Sequence, residues 1–369
     1  FFFLFQEGTT ALIVSCGHGH VDLVRHLLLR GANPNIRRQT GTSALFFAAQ
    51  GGYEEIVSIL LDHKASIDLT SFDGGTPLLV ACQCDNYSIV QVLLERGCGT
   101  NSRLNDGASA LFLAAQAGNL RIVNLLLSKG AELDAKRNDG ATPLWIACQM
   151  GHLEIVKKLL LAGSAPDVTR QDGATPLFKA AHKGHLDIVV ELLNTGEVSL
   201  SVLPNGETAL HAACLFGHKN VVMALVTAGA NPTQLNREGI SPVEIASQAG
   251  FENIVDYFLT LNSNNNDGSG AKTDSQIPNS ESHLTNTSSN YEVQSLQNYN
   301  EKMPNDKSTS EAQQPQYENS DIVKQSLNEE QKVCNEPKRQ SGAIDGGLIG
   351  QNSKNNPGYE NTGSISTVV

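Results

Sequence analysis

Glycine returns every 33 residues along this chain, at Gly8, Gly41, Gly74, Gly107, Gly140, Gly173, Gly206 and Gly239. No insertion or deletion breaks the period. A strict period of this length specifies a stack of one supersecondary unit, in which each copy buries its apolar face on its neighbours. A globule folded around a single cleft does not produce such a pattern. Catalysis gathers a few residue types once, whereas here almost everything recurs. The expectation therefore tilts towards recognition of another protein.

The unit itself is readable. One copy runs Gly140-Ala-Thr-Pro-Leu144, Trp145-Ile-Ala-Cys148, Gly151-His152, Ile155-Val156, Leu159-Leu160-Leu161 and Gly163. Leu12, Leu45, Leu78, Leu111, Leu144, Leu177 and Leu210 hold one position, with Val243 in the eighth copy. Val57/Leu61, Val123/Leu127 and Val156/Leu160 are spaced i, i+4, which is one face of a helix. Thr142-Pro143 suits a helix start, because Thr caps and Pro is tolerated in the first turn. Small residues such as Ala147 and Cys148 allow a second helix to approach. Gly151 and its equivalents are expected to end the first helix, and a second helix runs to Gly163. Asp73-Gly74, Asp106-Gly107, Asp139-Gly140, Asp172-Gly173 and Asn205-Gly206 then read as hairpin turns, since Gly and Asx tolerate positive φ.

Helix, turn, helix and hairpin at this period resemble the ankyrin repeat, over residues 8–261. The T-P-L, A-A, G-H, I/V-V, L-L and G-A elements all occur at one spacing. The resemblance implies an all-α ankyrin-repeat solenoid of eight 33-residue repeats, no enzymatic activity, no cofactor and protein partners. One departure stands out. The family usually places His after T-P-L, where it bonds backbone. Here only His211 keeps it. Phe46, Phe112 and Phe178 take the place in even repeats, and Ile13, Leu79 and Trp145 in odd ones. Cys16, Cys82, Cys148 and Cys214 alternate with Ala49, Ala115 and Ala181. This reads as a duplicated two-repeat cassette in which aromatic packing replaces hydrogen bonds. Drift at tolerant positions is the alternative.

Charge and cysteine bound the partners. The formal charge is −12. Residues 1–262 carry 18 Lys and Arg against 24 acids, and the rest 8 against 14, so each part is −6. No global basic surface argues for nucleic acid or an anionic membrane. Seven cysteines, four of them at a small buried position, suit a reducing compartment, cytoplasm or nucleus, and not a disulfide scaffold. Phe1-Phe-Phe-Leu-Phe5 is too short for a signal peptide or membrane span. Residues 1–7 match no part of the repeat and the chain does not begin with Met. A truncated or mistranslated start is expected, with at least one repeat upstream. Cys16-Gly-His18-Gly-His20 has no second ligand pair, so zinc is not expected. No paired carboxylates and no phosphate-binding Gly loop stand out.

Two partner surfaces are expected. Hairpin tips and first-helix ends should line a concave face. The tips carry Arg37, Arg38, Arg103, Lys136, Arg137, Arg170 and Arg237, which form either a basic stripe for an acidic peptide or solvated loop charge. Beside them lie Met150, His182, Lys183, Leu215 and Phe216. Leu215-Phe216 replaces Gln at a position held by Gln50, Gln83, Gln116, Gln149 and Gln248. That pair makes either an exposed apolar patch or a contact buried on the hairpin at Leu203-Pro204.

Composition changes at residue 262. Asn, Ser, Gln, Glu and Lys dominate, and no Phe or Trp follows Phe258. Such a segment buries too little apolar surface to offset chain entropy, so 262–369 is expected to be a disordered tail. Tyr317-Glu-Asn and Tyr359-Glu-Asn repeat one triplet. Phosphorylated, they resemble ligands of Src-homology-2-type readers. Asn356-Pro357-Gly-Tyr359 resembles the N-P-x-Y turn of phosphotyrosine-binding domains. Thr367-Val-Val369 resembles a PDZ ligand, whose strand extends a sheet edge and whose carboxylate enters a backbone nest. The alternative is an inert tail on a single-partner adaptor.

Overall fold

A hydroxyl starts every first helix. Thr10, Ser43, Thr76, Ser109, Thr142, Thr175, Thr208 and Ser241 sit in extended backbone, and each accepts the amide N–H three residues on. Each bond satisfies one donor that a helix start leaves open. Pro77, Pro143, Pro176 and Pro242 follow the cap, where a missing N–H costs nothing. The computed structural model describes the backbone of residues 8–266 and the side chains of residues 8–261. Residues 1–7 and the motifs at Tyr317, Asn356, Pro357, Tyr359, Thr367 and Val369 lie outside the described residues.

Among the described residues the chain forms sixteen α-helices and no extended strand. The first helices are α1 (Ala11–Gly17), α3 (Ala44–Gly51), α5 (Pro77–Gln83), α7 (Ala110–Ala117), α9 (Pro143–Met150), α11 (Pro176–Lys183), α13 (Ala209–Leu215) and α15 (Pro242–Gln248). The second helices are α2 (Val21–Leu29), α4 (Glu54–Asp62), α6 (Tyr87–Glu95), α8 (Leu120–Ser128), α10 (Leu153–Leu161), α12 (Leu186–Asn194), α14 (Lys219–Thr227) and α16 (Glu252–Asn266). Each odd helix packs on the next odd helix and on its own even partner, and the even helices stack in turn. Two helical layers result. The Leu column is buried, and so are the Ala and Cys columns beside it. These small side chains let backbones approach closely, which is why Cys and Ala interchange there. Gly52, Gly118, Gly151 and Gly184 cap their helices as expected; in the other repeats the first helix stops one residue sooner.

The connecting hairpins differ in detail from expectation. Gly41, Gly74, Gly107, Gly140, Gly173, Gly206 and Gly239 all have positive φ, but the Asx before them does not. Asp106 Oδ1 instead accepts the Ala108 N–H at 2.9 Å, Asp139 Oδ1 that of Ala141 at 3.1 Å, and Asp172 Oδ1 that of Ala174 at 3.0 Å. The glycine N–H bonds the carbonyl three residues back, as in Gly140 to Arg137 at 2.8 Å. This is a type I turn closed by a left-handed glycine. The Asx residue is selected for its side-chain acceptor, and only the glycine for its φ.

Tip bonds run from repeat to repeat. The amides of Phe72, Asn105, Asn138, Gln171 and Arg237 donate to Thr40, Asp73, Asp106, Asp139 and Asn205 carbonyls at 2.7–3.0 Å. At the same place the seventh repeat carries Pro204, which has no N–H.

Candidate functional site

The arginines of the hairpin tips are tied into the stack. Arg37 Nε donates to Gly41 O at 2.9 Å, and its Nη2 donates to Thr70 O in the next repeat. Arg103 makes the parallel contact, to Lys136 O at 3.2 Å, and pairs with Glu132 at 2.6 Å. Arg137 is half-buried, bonded through Nε to Asp139 at 3.0 Å and again through Nη2, with its charge 5.3 Å from the Phe112 ring centroid. Arg170 lies 3.5 Å from Asp139 and 3.7 Å from Asp172, over the Trp145 ring at 4.9 Å. Arg38 sits over the Phe47 ring at 5.5 Å. Lys136 is exposed. Burial works to raise the Asp139 carboxyl, but bonds from Arg137 and the Ala141 amide, with the charge of Arg170, hold it below the usual carboxylate range. Arg137 and Arg170 thus stand beside Asp139 and Asp172 at the tips. Both alternate with carboxylates and brace the turns.

A second row lies at the ends of the first helices. Met150, Lys183 and Phe216 occupy one repeat position on α9, α11 and the cap of α13. The same position holds His18, Gly51, Cys84, Ala117 and Ala249 elsewhere. Met150 is 44% and Phe216 38% exposed. The Phe216 ring centroid is 4.4 Å from that of His182, which is 6.4 Å from Phe178. Leu215 turns inward and packs against the core. The two halves of Leu215-Phe216 thus have different fates: one joins the core and the other faces solvent.

The comparisons agree with this architecture. The family model for "Ankyrin repeats (3 copies)" matches residues 12–103, 96–172, 154–236 and 196–269, well over half of the chain. The chain belongs to the ankyrin-repeat family. No curated protein matches it significantly. Ankyrin repeats generally mediate protein–protein interaction, and proteins built from them are typically interaction modules without enzymatic activity.

Within the ankyrin unit, the G-H position forms a ladder. His152, His185 and His218 place Nε2 3.1 Å from the carbonyls of Gln116, Gln149 and His182, one repeat back. Asn86 and Asn119 do the same with an amide, to Ala49 O at 2.7 Å and Cys82 O at 3.2 Å. Each bond satisfies a carbonyl left open at a helix C-terminus. Burial pushes the His185 pKa down, and its bond to Gln149 only partly opposes this; Lys183, His218 and His152 add to the lowering.

The T-P-L-H position brings a correction. His211 Nε2 lies 3.3 Å from Ile240 O in the next hairpin. Trp145 Nε1 donates to Ala174 O, the equivalent carbonyl, at 2.9 Å. Trp145 therefore keeps the ankyrin hydrogen bond that aromatic packing was expected to replace. Phe46, Phe112 and Phe178 have no donor with which to make it.

Two buried charges escaped the sequence reading. Lys179 is 3% exposed, in a column otherwise filled by Val14, Phe47, Val80, Leu113, Ile146, Ala212 and Ile245, and its Nζ lies 5.8 Å from the Trp145 ring centroid. Glu207 is buried where Ala108, Ala141 and Ala174 sit elsewhere. A charged residue in a column of apolar ones was the available signal.

Burial raises the thiol pKa values of Cys16, Cys82, Cys98, Cys148 and Cys214, so these groups stay protonated. None of the described cysteines, Cys16, Cys82, Cys84, Cys98, Cys148 and Cys214, forms a disulfide. Among the described residues no group of three or more His, Cys, Asp or Glu could hold a metal ion, and no helix is long and apolar enough to cross a membrane.

Proposed function

We propose that this chain is a scaffold that grips one protein segment along its first-helix layer. The row Met150, Lys183, Phe216 carries the reading, because large side chains stand at three successive repeats where other repeats have small or polar ones. Stacked helices lie about 8–10 Å apart. An extended chain covers that distance in about three residues. The partner segment then places an apolar side chain, an acid and a second apolar side chain about three residues apart. Apolar anchors supply affinity, and the acid opposite Lys183 sets register.

Peptide selection on the full chain tests this. Selected peptides should carry the apolar–acid–apolar spacing and lose at least tenfold in affinity for Met150→Ser/Phe216→Ser. Peptides that bind the variant as well as the original chain would remove the row from the interface.

The tail reading extends the scaffold. Tyr317 and Tyr359 would recruit phosphotyrosine readers, and Thr367 with Val369 a PDZ domain, in a reducing compartment such as the cytoplasm. A peptide of the last ten residues should bind a PDZ domain at micromolar strength, about −8 kcal/mol. One Gly appended after Val369 moves the carboxylate out of its nest and should abolish binding. Equal binding by the extended peptide would return the tail to an inert role. The order of repeat variants also resembles that of the animal protein ankyrin repeat domain-containing protein 29, a likeness that brings no partner with it.

A further inference from the structure

Met150, Lys183 and Phe216, one repeat apart, call for a partner segment in which an acid has an apolar side chain about three residues away on either side. The chain beyond Leu261 carries 14 acidic residues. One of them has a large aliphatic side chain three residues away on both sides. It is Glu330, in Leu327-Asn-Glu-Glu330-Gln-Lys-Val333. Asp306 has Met303 ahead of it but Thr309 behind, and Glu336 has Val333 ahead but Arg339 behind.

We propose that the segment Leu327–Val333 docks on the row Met150, Lys183, Phe216 as an internal ligand, so that the chain occupies its own groove until a stronger partner displaces it. The inference rests on the peptide-binding reading of that row. Length permits the contact. About 60 residues separate Asn266, where the described backbone ends, from Leu327, a reach of up to about 200 Å. Phe216 lies one repeat before the last and Met150 three, so the row runs from about 10 Å to about 30 Å from the eighth repeat. Spacing fits as well. An extended chain covers about 20 Å from Leu327 to Val333, the two repeat steps between Phe216 and Met150. Glu330 falls midway, opposite Lys183, whichever way the segment runs. An ammonium has three N–H donors, so pairing with Glu330 does not require Lys183 to give up another contact. The Phe216 anchor is already braced, its ring centroid 4.4 Å from that of His182 and 6.3 Å from that of His218. Little side-chain freedom is therefore lost when an aliphatic group covers it. Tethering makes the contact intramolecular, so a segment of modest affinity suffices to fill the groove.

The probe is a fluorescent peptide of residues 321–336, titrated against full-length chains. The native chain is compared with Leu327→Ser/Val333→Ser, whose changes lie outside the repeats and leave the stack as it is. That variant should bind the probe at least tenfold more tightly than the native chain, because its groove is open. Adding Met150→Ser/Phe216→Ser should remove the binding; a probe that still binds sits elsewhere, and the proposal falls. A probe carrying Glu330→Lys should bind the opened variant at least tenfold more weakly, and Lys183→Glu should restore it. The gain from opening should be the same at every protein concentration. A gain that grows with concentration would put the segment in the groove of a second copy and overturn the internal contact. Equal binding by the native chain and the opened variant overturns it too. So does a probe that fails to bind the opened variant. If selected peptides still bind there, the row keeps its role and the internal ligand alone is lost; if they also fail, both readings fall.

Discussion

Lys64 adopts φ 64, in the left-handed region, where other repeats place Gly31, Gly97, Gly130, Gly163, Gly196 and Gly229. Side chains other than glycine's strain the backbone there by about 1–2 kcal/mol. A Cβ at Gly97, Gly130 or Gly163 would meet nothing within 4 Å, so the penalty at this column is conformational and not steric. Lys64→Gly should therefore stabilise the stack by about 1 kcal/mol, and Gly130→Ala should cost about as much. Equilibrium urea unfolding of both variants checks the pair; changes of the same sign in the two would refute the strain argument. Trp145 gives the converse case, where a side chain completes a bond. Trp145→Phe removes one of two donors to the Ala174 carbonyl, which keeps the Arg170 N–H at 3.1 Å, and should cost about 0.5–1.5 kcal/mol. Phe178→Leu removes no such bond and should lose packing alone. Position in the repeat made both sites visible in the sequence. The direction of the indole N–H was not visible, because an aromatic residue in a column of Phe reads as apolar until its partner carbonyl, 29 residues on, is placed.

Single elements explain which expectations survived contact with the structure. Hydroxyl caps, first-turn prolines and hairpin glycines act within a few residues, so eight aligned copies expose them. Arg137 and Arg170 depend instead on which neighbour's carboxylate and ring they meet, and the sequence left them as either a basic stripe or loop charge. The histidine ladder is also an element-scale device, and it carries a pH signature. Burial lowers the His185 and His211 pKa values below the ordinary 6.5. The unfolded chain then binds more protons than the folded one as pH falls through that value, so stability is present above about 6.5 and declines below it. His185→Asn keeps a donor for the Gln149 carbonyl, as Asn86 does for Ala49, but removes the titration. The melting temperature of the original chain should drop between pH 7 and pH 5, and that of His185→Asn should drop less. Parallel pH curves would show that His185 takes no part in the proton linkage.

Across the whole stack, stability is a sum of repeat and interface contributions, so the weakest seam decides where opening begins. Tip amides link the second repeat to the third and so on through the sixth, and side chains double three of these links. Asn105 Nδ2 donates to Phe72 O at 2.7 Å, Asn138 Nδ2 to Asn105 O at 2.9 Å, and Gln171 Nε2 to Asn138 O at 2.7 Å. The chain of donors stops at Pro204, which offers neither an amide nor a side-chain N–H, and backbone bonding resumes only at Arg237. Pro204 Cδ also lies closest to the space above Gly173, so the ring rests on the preceding turn by contact alone. The seam between the sixth and seventh repeats should therefore open first. Native-state hydrogen exchange should show α13–α16 exchanging through an opening of lower free energy than α5–α10. Pro204→Asn supplies both donors, in the arrangement seen at Asn105 and Asn138. It should slow exchange in α13–α16 by about two- to tenfold for each bond that forms, since one hydrogen bond is worth about 0.5–1.5 kcal/mol. Because the seam also holds Phe216 against His182, its closing should carry over to the proposed row, tightening a bound peptide by no more than the same factor. If exchange in α13–α16 already matches that of the earlier repeats, the break in the tip ladder has no energetic consequence and the stack opens from elsewhere.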